Sequence, residues 1–445
     1  MKSRVGVTLV IVLLYCLVGE DVTLSTDLYI SYVRRWMITE EPARTVKPPL
    51  TLLWEKSPIW FESWNAGGLF ESPSRRIVET KDGFVTVIRK TVNLLSKEDG
   101  RTLWTMDLQG GDIVDWKVVG TFMLYSSVNY RTKERTRAAL DLIERKDKWV
   151  QKDTVPALYQ PDMLIPTGDG LAVFVSNGDS KDVNDAIVAI DINSGQIKWK
   201  VSTDIEQRTL VPFTWFTHGS RLHVLVTQKA GGLYLKTWNT IDGKHVATNH
   251  IFGTDQLGNV VHPSVITSDG ILFIGYNKRP RPARLSLIAY DTESNKLLWN
   301  TDVTPENRDD SMSVKHVMHA GNTKMMVATM WPNRVVVFDS EKGSILKDIR
   351  LSGYVGWTDY NSGLYSYPYL ITGARRQLAS GMAFDLIALN LETGKVDWTY
   401  EIETQNNKFT FPTADTLNFI VNSDRVYVGR ADAKIMSFRH AGGSK

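Results

Sequence analysis

The sequence predicts an all-β fold, an eight-bladed β-propeller of four-stranded antiparallel blades whose ring is closed by pairing the N- and C-terminal strands. Three observations carry this expectation. The stretch 385–402, DLIALNLETGKVDWTYEI, alternates apolar and polar residues with a period of two on either side of Gly394, the pattern of a hairpin. The same unit recurs along the chain. Strand sets at the two ends are each incomplete and complement one another.

The hairpin cannot stand alone, because a two-stranded ribbon has an apolar face and nothing to bury it against. The chain supplies neighbours. Related units hold a turn residue at Gly100, Gly195, Gly243, Asn295, Gly343 and Gly394, with intervals of 48, 52, 48 and 51 after a first gap of 95. That first gap spans two periods, and its missing copy is ALDLIERKDKWVQKD, with Asp147 in the turn region and Trp149 as the aromatic. The turn positions favour Gly or Asn because both reach positive φ at low cost. An aromatic follows the turn at Trp104, Trp149, Trp199, Trp299 and Trp398, replaced by Ala247 and Lys347 in two copies.

Each period also holds an earlier pair of strands, as in 164–176 and 265–276. Four strands in 40–50 residues make a propeller blade. Residues 417–440 supply three strands and stop, and LTLLWEKSPI (50–59), with Trp54, supplies the fourth. Pairing them closes the ring and removes two open sheet edges.

The 445 residues exceed a single core, as a repetitive architecture allows, and 42% hydrophobic with 23% charged residues is a globular composition. A net charge of +3 is too small at this length to indicate nucleic acid. Lys2 and Arg4 precede the apolar run 5–19, which is short for a membrane span and suits a signal peptide, or an anchor if it is retained. Both place the body outside the cytoplasm, in a periplasm or cell envelope or secreted. Cys16, the one cysteine, lies in that run and follows Tyr15 rather than the small residue of lipoprotein signals, so lipidation is not expected. A body without Cys has no disulfide and no thiolate metal site. No Asn begins an N-x-Ser/Thr acceptor, which leans toward a bacterial or archaeal envelope. Residues 20–49 form a leader, with a short helix expected over 27–37 and an extended tether at Pro42, Pro48 and Pro49. The propeller occupies 50–440 and a tail 441–445.

The consensus of these units, seen best in IVAIDINSGQIKW and LIALNLETGKVDW, resembles the PQQ-type (pyrroloquinoline quinone) propeller repeat over residues 50–440. The resemblance implies eight blades with Trp104, Trp149, Trp199, Trp299 and Trp398 docking each blade on its neighbour. Such propellers divide into quinoprotein dehydrogenases and cofactor-free scaffolds such as envelope-assembly factors. The dehydrogenases use a vicinal Cys–Cys disulfide, Ca²⁺ on Glu, Asn and Asp, and an Asp base. This chain lacks the disulfide, and Asp112, Asp115 and Asp359 do not have the spacing of a Ca²⁺ loop. No cofactor, metal or catalytic residue is therefore expected, with PQQ and Ca²⁺ in a dehydrogenase lacking the disulfide as the alternative. His218 with His223, and His316 with His319, read as structural; residues three apart on a strand face opposite sides.

Binding is expected where the copies differ. Loops between second and third strands are charged: YRTKERTR with Arg131, Arg135 and Arg137, NKRPRPAR with Lys278, Arg279, Arg281 and Arg284, and Arg375 with Arg376. DSKDVND (179–185) is an acidic counterpart. An aromatic stretch, 354–369, adds Trp357, Tyr360 and Tyr365 near the channel. A face of this composition suits a protein partner, acidic or membrane-associated. The N-terminus offers a peripheral membrane contact.

Overall fold

In the computed structural model the described residues are 38–39, 46–56 and most of 77–440. Residues 1–37, 40–45, 57–76, 155–162, 177–185, 203–213, 228–231, 253–257, 279–283, 305–312, 358–362, 406–416, 422–424, 431–434 and 441–445, with a few shorter stretches, lie outside the description. The expected signal or anchor, the leader helix and the acidic loop fall among these.

The described residues contain strands and turns and no helix long and apolar enough to cross a membrane. They form eight antiparallel sheets of consecutive strands. Blade 1 covers 77–107, blade 2 112–154, blade 3 163–202, blade 4 214–252, blade 5 258–302, blade 6 313–350 and blade 7 356–405. Blade 8 combines 417–440 with Leu50–Lys56, whose pairing runs from Leu50 opposite His440 to Lys56 opposite Ile435. The last edge of the C-terminal strands is thereby covered by the N-terminal one.

The core lies between blades. Each apolar cluster joins residues of two neighbours, as where Ile165, Val173 and Trp199 of blade 3 meet Trp215, Val224 and Trp238 of blade 4. The middle two strands of each blade are buried on both faces, which is why sequences such as 335–338 (VVVF) are continuously apolar there. Outer strands have one row against the next blade and another in water, so they alternate.

In blades 1 to 7 the first-to-second and third-to-fourth turns lie on one face of the ring. The second-to-third loops and the inter-blade connections lie on the opposite one. Ile38–Thr39 pair in parallel with Val265 and Ile266 on the channel-facing edge of blade 5, heading toward the turn face. Val46 is buried beside blade 7, its N–H donating to Ser366 Oγ at 2.7 Å, before Leu50 enters the outer strand of blade 8.

One turn corrects the sequence reading. In blade 2 the left-handed residue is Arg145, at φ 57, and Asp147 belongs to the outer strand. Asp141 accepts the Ile143 and Glu144 amides through Oδ1, as Asp191 does for Asn193 and Ser194 in blade 3. Arg145 stands four residues before Trp149, the spacing from Gly195 to Trp199. The register was present in the sequence behind an unusual residue.

Candidate functional site

The aromatic row after each turn is used between blades. Trp149 donates its indole N–H to the Ile192 carbonyl of blade 3 at 2.7 Å. Trp199 donates to Thr240 of blade 4 at 2.8 Å, and Trp299 to Ser340 of blade 6 at 2.9 Å. Each acceptor follows the Asx or equivalent residue that opens the next blade's turn. The ring lies on that turn's glycine: a Cβ added to Gly195, Gly243 or Gly343 would come 2.5–2.6 Å from an indole carbon. Trp104 instead carries the Arg145 guanidinium over its ring at 5.8 Å. Trp398 meets Phe438 of blade 8 edge-on at 5.9 Å, because no third-to-fourth turn exists at the composite blade. Between blades 8 and 1 the corresponding carbonyl, Lys97, accepts from Arg425 Nη1 and Tyr427 Oη.

Much of the expected partner-binding set is likewise engaged in the ring. Arg135 and Arg137 are not in a loop; they lie on the third strand of blade 2, Glu134–Asp141, and both are buried. Arg135 pairs with Asp153 through Nε at 2.7 Å, and Arg137 lies 5.3 Å over the Phe174 ring of blade 3. Arg375 and Arg376 are on the second strand of blade 7, not beyond it. Arg375 lies 5.8 Å over Phe384, while Arg376 binds the fully buried Asp385 at 2.7 Å and Glu401 at 3.0 Å. Trp357 is 1% exposed and donates to the Met330 carbonyl of blade 6 at 2.8 Å, and Tyr365 is 7% exposed with burial pushing its hydroxyl up to about 12. Arg135, Arg137, Trp357 and Tyr365 are buried and offer little surface to a partner, while Arg375 and Arg376 stay partly exposed. They read as loop residues because short apolar strands flanked by arginines look like turns when strand ends are unknown.

Arg131 is different. It is exposed in the turn 131–133, where its amide donates to Asn129 Oδ1 at 3.1 Å and Lys133 takes φ 56. Lys278 and Arg284 are paired at the ends of the second and third strands of blade 5, on the same face. Arg279, Arg281 and Tyr360 lie outside the described residues.

Charged side chains also tie blades together. Asp115 accepts the Trp116 amide through Oδ1 and the Leu164 amide of blade 3 through Oδ2, both at 2.9 Å. Arg334 binds Asp348 through Nε and Nη2, each at 2.8 Å, and also donates to the Val303 carbonyl of blade 5. Lone charges in a strand interior were the available signal, since a buried charge requires a partner.

A quinone with Ca²⁺ would need a cluster of oxygen donors. Among the described residues no three His, Cys, Asp or Glu side chains gather to hold a metal, and the Asp115 carboxylate is committed to two amides. His223 is buried and bonded to Thr237 Oγ1 at 2.9 Å, and His319 to the Thr323 carbonyl at 3.1 Å. The described residues do not fit that cofactor.

Eight four-stranded blades, three of them latched by an indole on the next blade's turn, define a PQQ-type β-propeller. Segments 52–211, 88–349 and 242–445 match the family model described as outer membrane protein assembly factor BamB, and the chain belongs to that family. Among solved structures it is similar to BamB of Moraxella catarrhalis, at 16% identity over 88% of this chain and 100% of that one, with a TM-score of 0.49. It is also similar to the computationally designed Ika8 protein, at 14% identity over 87% and 99% with a TM-score of 0.53. Sqt1 of Saccharomyces cerevisiae matches at 10% identity over 91% and 99% with a TM-score of 0.50. At these identities the structures speak to the fold alone. No curated protein matches the chain.

Proposed function

We propose that this protein is an exported, non-catalytic propeller scaffold of the envelope-assembly type, which holds a protein partner on the loop face of the ring. The observation that carries the reading is a division of labour between the two faces. Turn-face residues repeat from blade to blade and are spent on latching, whereas the second-to-third loops differ in length and charge. Arg131 and Lys133 stand exposed on that variable face. Rigid scaffolds carry their binding residues on loops of this kind. The cationic loops, with Arg279, Arg281 and Arg284 in blade 5, suit an acidic segment of a partner or a partner held at a membrane surface.

The test is affinity capture from envelope extracts with the full chain and with a charge-reversed variant, Arg131→Glu, Arg279→Glu and Arg281→Glu together. The expected outcome is a partner retained by the wild type and lost by the variant. Equal capture by both would overturn the loop-face assignment. Incubation with PQQ and Ca²⁺, followed by a dye-reduction assay with alcohols and sugars, tests the non-catalytic part; a bound chromophore with turnover would overturn it.

A further inference from the structure

The indole latch is a site with a defined ligand chemistry, and the ring contains one copy whose ligand is missing. In blades 3, 4 and 6 the turn glycine is buried under the Trp of the preceding blade. In blade 7 the equivalent Gly394, at φ 71, is only half-buried, and a Cβ placed there would meet nothing nearer than Ile349 Cγ2 at 3.6 Å. The reason is Lys347, which holds the Trp position in blade 6, opposite Val337. Its side chain is exposed and donates to the Glu392 carbonyl instead. The carbonyl that should receive the indole N–H is Leu391, one residue after the turn-opening Asn390. Among the described residues no donor reaches it.

The other Trp-less copy differs. Opposite Ala247 of blade 4 the turn residue is Asn295, whose Oδ1 accepts from Asn249 of blade 4 at 2.5 Å. In that copy the turn residue carries a side chain of its own, whereas the seat in blade 7 is a bare glycine. Ile345 and Leu346 stand exposed on the outer strand of blade 6, two and one residues before Lys347, and the exposed Tyr367 donates to Glu392 Oε1 in the turn at 2.8 Å.

We propose that the seat over Gly394, on the rim between blades 6 and 7, receives a tryptophan side chain from a partner polypeptide. Three occupied copies in the same chain define the fit. The indole face lies on the glycine and its N–H points at the Leu391 carbonyl. The Lys347 ammonium then lies beside the ring, where a cation is attracted to the π face. Ile345, Leu346 and Tyr367 cover apolar residues flanking the tryptophan, which favours a peptide over a free indole. The seat is on the turn-face rim, opposite the charged loops, so either assignment survives failure of the other.

The probe is acetyl-Ser-Leu-Trp-Leu-Ser-amide carrying 5-fluorotryptophan, titrated with the full chain and followed by ¹⁹F NMR. A saturable shift is expected with the wild type and with Lys347→Ala, which leaves the seat open. Lys347→Trp fills the seat with the chain's own indole, so it should abolish the shift and raise the melting temperature. A peptide with 1-methyltryptophan, which lacks the N–H, should bind about tenfold more weakly, the loss of one hydrogen bond. An unchanged shift with Lys347→Trp, a lowered melting temperature in that variant, or displacement of the probe by an alanine-containing peptide as effective as the tryptophan one would each overturn the proposal.

Discussion

The indole of Trp199 lies directly on Gly243 of the next blade: a methyl added to that glycine would come 2.6 Å from Cε3, while Nε1 donates to the Thr240 carbonyl at 2.8 Å. The two residues are one device. Trp199→Ala removes a buried aromatic and orphans a carbonyl, and should cost about 3–5 kcal/mol. Gly243→Ala should also destabilise, through the clash and through its φ of 70. Denaturant unfolding of both single variants and the double variant checks the coupling. The double variant should be clearly more stable than the sum of the two losses implies, because the clash vanishes with the indole.

Trp398 is a weaker wedge than Trp199. It is half-buried and meets Phe438 edge-on without a turn glycine beneath it. Trp398→Ala should therefore fall below the Trp199→Ala loss, at about 1–3 kcal/mol. The same unfolding experiment ranks the pair, and a larger loss at Trp398 would contradict the ordering.

Arg334 and Asp348 make the next prediction. The guanidinium is buried, and its hydrogen bonds hold the Asp348 carboxyl below the usual carboxylate range. An acid whose folded pKa is depressed stabilises the fold above its unfolded pKa and loses that contribution as pH falls through the folded value. Asp348→Asn should lower the melting temperature at pH 7 and flatten its fall below about pH 4. Arg334→Ala should be far more damaging, about 3–5 kcal/mol, because it strips the Val303 carbonyl of a donor and removes packing together with the charge.

The fold was legible because its signals are local and repeated. Period-two alternation, a turn residue and an aromatic four residues later coincide in most copies, and Leu50–Lys56 completing blade 8 follows from counting strands. The Arg145 turn was hidden because left-handed Arg is uncommon, although the Asp141 cap that supports it is the same local turn as at Asp191. The candidate site was less legible. Arg135, Arg137, Trp357 and Tyr365 have the composition of a binding surface, but composition does not report which way a strand residue points. A one-residue change of register exchanges water for the neighbouring blade. Ala247 with Asn295 shows what a single sequence can still disclose: in that copy the indole and the turn glycine are replaced together.

Ring closure should be separable from blade folding. Leu50–Lys56 cover the edge strand Ile435–His440, and Val46 and Leu50 are buried with Phe438 and Leu386 between blades 7 and 8. Deleting residues 46–56 should expose that edge, lower the melting temperature and produce concentration-dependent association by light scattering. A monodisperse deletion variant of unchanged stability would show that the closing strand is dispensable.

His223 gives the ring a built-in sensitivity to acid. Its ring stacks on Phe216 at 4.9 Å, Nδ1 meets Thr237 Oγ1, and Nε2 is buried without a hydrogen-bond partner among the described residues. Burial, reinforced by the nearby His218 and Arg221, pushes its pKa down to about 3. The unfolded chain therefore binds a proton that the folded one refuses. Stability is full above the unfolded value near 6.5 and declines as pH falls from there toward 3, by up to about 1.4 kcal/mol per pH unit. His223→Phe cannot take up that proton in either state. Melting curves between pH 7 and 4 should show a shallower decline for this variant than for the wild type, even if packing lowers its stability at pH 7. Parallel curves would mean that His223 is not the group that titrates.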